Sequence, residues 1–146
     1  GFGTESPYLI FGSPWLATKF FKEKLEMLHL PGVTFKEIEY RPTGSPYYDR
    51  VPKYNGISCS GLKVSVVDRK LIKPIEIATS IITLISQLHP REFRWESNGY
   101  IDKLFGSNQL RLFVAQKKPP DYLSPQYMHD EIEFSKFRET FLLYKN

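Results

Sequence analysis

The sequence predicts one small α+β domain over residues 1–146, a mixed small sheet packed by several helices. Three observations carry that expectation: β-branched and aromatic stretches at 33–40 and 57–68, apolar residues at helical spacing elsewhere, and proline or glycine between them. With 41% hydrophobic and 25% charged residues the composition is that of an ordinary globular protein, and 146 residues suffice for one core without disulfide staples.

Tyr8-Leu9-Ile10-Phe11 is a short apolar run closed by Gly12-Ser13-Pro14. Serine before proline is a helix start, with Ser13 as cap and Pro14 at the first helical position. The expected helix buries Trp15, Leu16, Phe20, Leu25 and Leu28, wets Lys19, Lys22, Glu23 and Glu26, and stops at Pro31-Gly32. Residues 33–40 read as a half-covered strand ended by Arg41-Pro42. The connection 42–56 holds three prolines, two glycines and three tyrosines, and a connection this long inside a compact domain is where ligand contacts are expected. Residues 57–68 form the second expected strand, with Leu62, Val64 and Val66 on one face.

Pro74 opens the clearest helix, whose wide apolar face is made by Ile77, Ile81, Ile82, Leu84, Ile85 and Leu88 before His89-Pro90 stops it. Phe93-Arg94-Trp95 is a strand edge or a turn, and 101–105 and 108–114 are short helices parted by Gly106-Ser107. Pro119, Pro120 and Pro125 mark a surface connection. A last helix from about Asp130 is expected to bury Ile132, Phe134, Phe137, Phe141 and Leu142, with Asp130, Glu131 and Glu133 in its first turn complementing the helix dipole.

Composition narrows the function classes. No apolar run reaches the roughly 20 residues that span a bilayer, so no membrane span is expected. The charge of +4 is spread out, with no cluster denser than Lys117-Lys118 or Lys22-Glu23-Lys24, so no nucleic-acid partner is expected. His29, His89 and His129 are far apart in sequence, which argues against a metal site and for helix-end roles of His29 and His89. The lone Cys59 reads as a buried strand residue rather than a nucleophile and fits either a reducing or a periplasmic compartment. Glu37 and Glu39 share a strand face and read as its solvated side rather than as a catalytic pair. No cofactor is expected.

Gly1-Phe2-Gly3-Thr4 has two readings. One is a tight turn where glycine permits close backbone approach; the other is a site where that approach seats a ligand, with the Thr4 hydroxyl as donor. Tyr47, Tyr48 and Tyr54 in the proline-rich loop offer a stacking surface for sugar or peptide.

Several spaced motifs point one way. Gly1-Phe2-Gly3-Thr4, Pro7 and Phe11-Gly12-Ser13-Pro14-Trp15 are followed by Leu30-Pro31-Gly32-Val33-Thr34-Phe35, Pro42-Thr43, Lys53, Gly56 and Cys59-Ser60-Gly61. Val66-Val67-Asp68-Arg69 at a strand end, Ile101-Asp102-Lys103-Leu104-Phe105-Gly106-Ser107 and the closing Phe137-Arg138 to Leu142-Leu143-Tyr144 complete the series. Together they resemble the C-terminal part of the NamZ-type exo-β-N-acetylmuramidases over essentially the whole chain.

The resemblance implies a detached piece of a two-domain glycosidase that removes N-acetylmuramic acid from the non-reducing ends of peptidoglycan fragments. Its implied partners are an N-terminal Rossmann-like domain carrying the catalytic carboxylate and a peptidoglycan-derived saccharide. No catalytic residue is expected in this chain, and Gly3, Thr4, Lys53, Tyr47 and Tyr48 are the expected substrate-binding residues. A periplasmic or secreted bacterial location is favoured over a cytoplasmic one. Phe2 departs from the arginine usual at its place, and residues 44–51 depart from the pattern as well. The alternative, from a different class, is a stand-alone carbohydrate- or protein-binding module.

Overall fold

The computed structural model describes residues 1–44, 50–118 and 124–144. Three strands form one sheet in the order β1-β3-β2, with β1 at Ile10–Ser13, β2 at Val33–Tyr40 and β3 at Cys59–Val66. Both outer strands run antiparallel to β3, so the α+β class holds while the sheet is antiparallel throughout rather than mixed. The cause is the chain path. Helix α1 (Thr18–Glu26) carries the chain from β1 to a parallel β2, and β3 then inserts between them, which makes a split βαβ unit.

β2 matches its expected bounds, whereas β3 is shorter by two residues at each end than the 57–68 expected. Register explains the loss. Tyr40 faces Cys59 and Val33 faces Val66, so residues outside 59–66 have no β2 partner, and Ile57 and Val67 lie exposed.

Ser13 does not cap α1; it is the last, buried residue of β1, and the helix begins after Ala17. The later start re-phases the helix. Phe21 and Leu25, four apart, are fully buried, while Phe20 points outward beneath the Lys24 ammonium, 5.4 Å from its ring centroid. Trp15 precedes the helix and is half-buried.

Helix α2 (Pro74–Leu88) has the expected span and serves two cores, which accounts for its wide apolar face. Ile77 and Leu84 join Leu16, Phe21, Leu25, Val33, Phe35 and Leu62 against the sheet. Ile82 packs on the second core, formed by Leu110, Phe113 and Val114 of α4 (Gln109–Ala115) with Phe93 and Trp95. Between them, α3 (Tyr100–Phe105) is tied to α4 by Arg111, whose Nη2 donates to Asp102 Oδ2 at 2.6 Å. Phe93-Arg94-Trp95 is neither strand nor turn but irregular chain that follows the turn at 90–92.

Helix α5 (Ser124–Glu139) overturns the expectation for the C-terminal segment. It starts six residues earlier than expected, so Asp130, Glu131 and Glu133 lie past its first turn. Ile132, Phe134, Phe137, Phe141 and Leu142 are not buried: their exposures run from 44% to 68%. At about 100° per residue, Ile132 falls on the side away from Phe134 and Phe137, and Phe141 and Leu142 lie beyond the helix end, so no single stripe faces a core. Among the described residues no helix is long and apolar enough to cross a membrane.

Candidate functional site

The first residues fold back as a turn. Thr4 N donates to Gly1 O at 3.1 Å, the Thr4 hydroxyl donates to the same oxygen at 2.6 Å, and Ser6 N donates to Thr4 Oγ1 at 3.3 Å. This turn rests on the segment that leaves β2, because Thr43 N donates to Gly3 O at 2.9 Å. Gly3 has φ +86°, and a Cβ there would lie 2.8 Å from Pro52 Cγ and 3.0 Å from Thr43 O. Only glycine fits that approach. The two ends of the loop after β2 are stitched as well, by Gly56 N to Pro42 O at 2.7 Å and Gly44 N to Asn55 Oδ1 at 2.8 Å.

Between the turn and the end of β2 lies a groove of about 570 Å³. Phe2, Gly3, Thr4, Glu5, Pro7 and Tyr8 line it from the turn, and Tyr40, Arg41 and Thr43 line it from the strand end. Gly61 on β3 makes room for Tyr40, since a Cβ there would stand 2.9 Å from Tyr40 Cε1. Burial, followed by the neighbouring Cys59 thiol and Tyr54 phenol, pushes the Tyr40 hydroxyl up to about 12. It is therefore a neutral donor across the whole physiological range.

The groove thus offers aromatic walls, hydroxyls and a guanidinium, with Glu5 as the sole carboxylate in its lining among the described residues. Glycoside hydrolysis ordinarily needs two carboxyl groups about 5–9.5 Å apart. The arrangement suits holding a saccharide ring against aromatic faces better than cleaving one. Glu37 and Glu39 line a separate shallow depression of about 260 Å³ with Thr18 and Ser60, and both are exposed.

Of the residues singled out from sequence, Gly3 and Thr4 line the groove. The Thr4 hydroxyl proton is already engaged by Gly1 O, so that side chain offers a ligand acceptor capacity rather than a free donor. Lys53 lies outside the groove lining, with its ammonium 5.3 Å from the Tyr54 ring centroid. Tyr47 and Tyr48 lie outside the described residues. Tyr54 is half-buried and accepts a hydrogen bond from Trp15 Nε1 at 2.9 Å, so it anchors the loop to the core. His89 caps α2 and its ring lies 5.1 Å from that of Trp15, whereas His29 is exposed and follows α1 with φ 50°. Cys59 is buried, with its thiol pushed up by burial. Among the described residues no three His, Cys, Asp or Glu side chains converge to hold a metal ion.

Phe2, Tyr8, Tyr40 and Arg41 are groove residues that sequence reasoning did not select. Their signal was available in part: Arg41-Pro42 terminates a strand, and strand ends are where side chains converge on a site.

Known proteins resemble this chain along its whole length. The family model for the C-terminal part of the exo-β-N-acetylmuramidase NamZ matches residues 1–144. The peptidoglycan β-N-acetylmuramidase NamZ of Bacillus subtilis (strain 168) is 32% identical over 144 residues, which is 99% of this chain and 33% of that protein. A DUF1343-family protein of Bacteroides fragilis NCTC 9343 has the same fold, with a TM-score of 0.82 at 22% identity over 98% of this chain and 37% of that one. The chain spans about a third of the length of the curated relative it matches. By the end-to-end family match, this chain belongs to the family of NamZ exo-β-N-acetylmuramidase C-terminal domains.

Proposed function

We propose that this chain is the auxiliary, cleft-forming domain of an exo-acting glycoside hydrolase that removes N-acetylmuramic acid from the non-reducing ends of peptidoglycan fragments. It binds substrate and leaves the acid–base chemistry to a Rossmann-like N-terminal partner domain in the same protein. The observation that carries this reading is the groove itself: aromatic walls and a guanidinium around about 570 Å³, with a single carboxylate among the described residues where hydrolysis needs two. The length of the Bacillus subtilis relative, three times the matched region, leaves room for such a partner. Uncovered apolar side chains on α5, with Phe134 at 62% and Phe137 at 63% exposure, supply a surface against which another domain packs. A peptidoglycan target also favours a periplasmic or secreted site of action.

The test is release of N-acetylmuramic acid from a chromogenic muramide. This chain alone is expected to release none, yet titration with N-acetylmuramic acid should shift the backbone amide resonances of Gly3, Thr4 and Thr43. Turnover by the chain alone would overturn the division of labour. Silent amides would overturn the groove as the binding site.

A further inference from the structure

Among the described residues, Arg41 is the one cation in the lining of the groove. It follows directly on β2, is exposed, and makes no hydrogen bond or ion pair with any described residue. Three other arginines are engaged: Arg50 pairs with Glu96 at 3.5 Å, Arg94 donates to Pro90 O and Phe93 O, and Arg111 grips Asp102. What sets Arg41 apart from the remaining exposed arginines is its place in the groove lining. Glu5, the carboxylate of the described lining, makes no ion pair with Arg41 either. An unpaired guanidinium in a partly walled groove is a ready carboxylate receptor, because its planar fork matches two carboxylate oxygens and is less strongly hydrated than an ammonium.

We propose that Arg41 is the specificity-determining residue of this groove, binding the carboxylate of an acidic sugar and thereby selecting N-acetylmuramic acid over its uncharged parent N-acetylglucosamine. The proposal rests on the groove being the saccharide site. A carboxylate fits better than a phosphate: among the described residues the lining holds a single cation, no lysine and no helix N-terminus, so a dianion would be left half-neutralised. The rest of the lining suits the rest of the ligand. Phe2, Tyr8 and Tyr40 present faces for the pyranose ring and the acetamido methyl, and the Tyr40 hydroxyl is a neutral donor.

The test titrates the chain, followed by NMR, with three probes: N-acetylmuramic acid, its lactyl methyl ester and N-acetylglucosamine. The ester keeps the sugar and loses the charge. The wild-type chain should bind the acid roughly tenfold to a hundredfold more tightly than the ester or N-acetylglucosamine, as a charge-assisted contact predicts. Arg41→Ala should erase that preference and leave affinity for the two neutral probes within about twofold, while Arg41→Lys should keep part of it. Because Arg41 is exposed and has no partner among the described residues, the variants should retain the wild-type amide spectrum away from the groove. Equal loss for all three probes would make Arg41 structural, and an unchanged preference in Arg41→Ala would place the carboxylate elsewhere; either overturns the proposal while leaving the groove as a saccharide site. No binding of any probe by the wild-type chain would overturn both readings.

Discussion

Replacing Gly3 with alanine sets a known penalty against the few bonds that hold the N-terminal turn in place. At φ +86° a side chain costs about 1–2 kcal/mol. The new Cβ would also stand 2.8 and 2.9 Å from the Pro52 ring and 3.0 Å from Thr43 O, a compression that costs about 1–3 kcal/mol more. Against that sum of roughly 2–5 kcal/mol, the backbone hydrogen bond that Gly3 itself makes across to the loop, Thr43 N to Gly3 O, is worth about 0.5–1.5 kcal/mol net. The penalty exceeds that bond. Residues 1–8 should therefore lift off locally while the domain stays folded, because Val64 N still holds Leu9 O at 2.7 Å and the core is untouched. The assay is amide exchange at Thr43 together with the N-acetylmuramic acid titration: protection should vanish and affinity fall at least about tenfold, with little change in Tm. Gly56→Ala is the control, since φ is +72° there but nothing lies within 4 Å of the new Cβ. If Gly3→Ala keeps Thr43 protected and binds ligand as Gly56→Ala does, the close approach is not what builds the groove.

Two further outcomes follow from the packing. Phe21→Ala should destabilise the domain by about 3–5 kcal/mol and Phe20→Ala by less than about 1 kcal/mol, measured by denaturant unfolding; equal effects would refute the phase of α1. Tyr40 ionises near 12 in the folded state against about 10 in the unfolded chain, so its contribution to stability is whole below pH 10 and declines as pH rises towards 12. Absorbance at 295 nm should show one of the nine tyrosines ionising late, and Tyr40→Phe should flatten the alkaline decline; a late tyrosine that survives in Tyr40→Phe would contradict this assignment.

Elements whose signals are local were legible in the sequence, and those fixed by pairing or by covering surfaces were not. The span of α2 follows from Pro74 and a wide apolar face, and β2 follows from β-branched and aromatic composition. β3 was read too long because its ends are set by where β2 stops, a register that composition does not carry. Ser13-Pro14 carries a helix-start pattern, yet pairing of Ser13 with Ser60 holds it in the sheet and delays α1 to Thr18. α5 shows the opposite failure. Five apolar residues near the C-terminus look like a buried side, but their angular spread gives no common face, and burial depends on a covering surface that the sequence of this domain does not specify.

The site was half legible for a related reason. Gly3 was found because a glycine-rich turn advertises close approach, and the structure shows what approaches it: Pro52, forty-nine positions along the chain. Arg41-Pro42 marks the end of β2 in the sequence, and the position of Arg41 beside the N-terminal turn becomes visible only once Thr43 is bonded to Gly3. A strand end gains a chemical role when another segment folds over it. The same bond that makes the groove therefore links the two tests: if Gly3→Ala frees residues 1–8, Arg41 loses the Phe2 and Tyr8 walls while keeping its charge. The acid should then still bind more tightly than its ester in that variant, but both should bind weakly. A preference lost together with the walls would mean that the turn, not Arg41, reads the carboxylate.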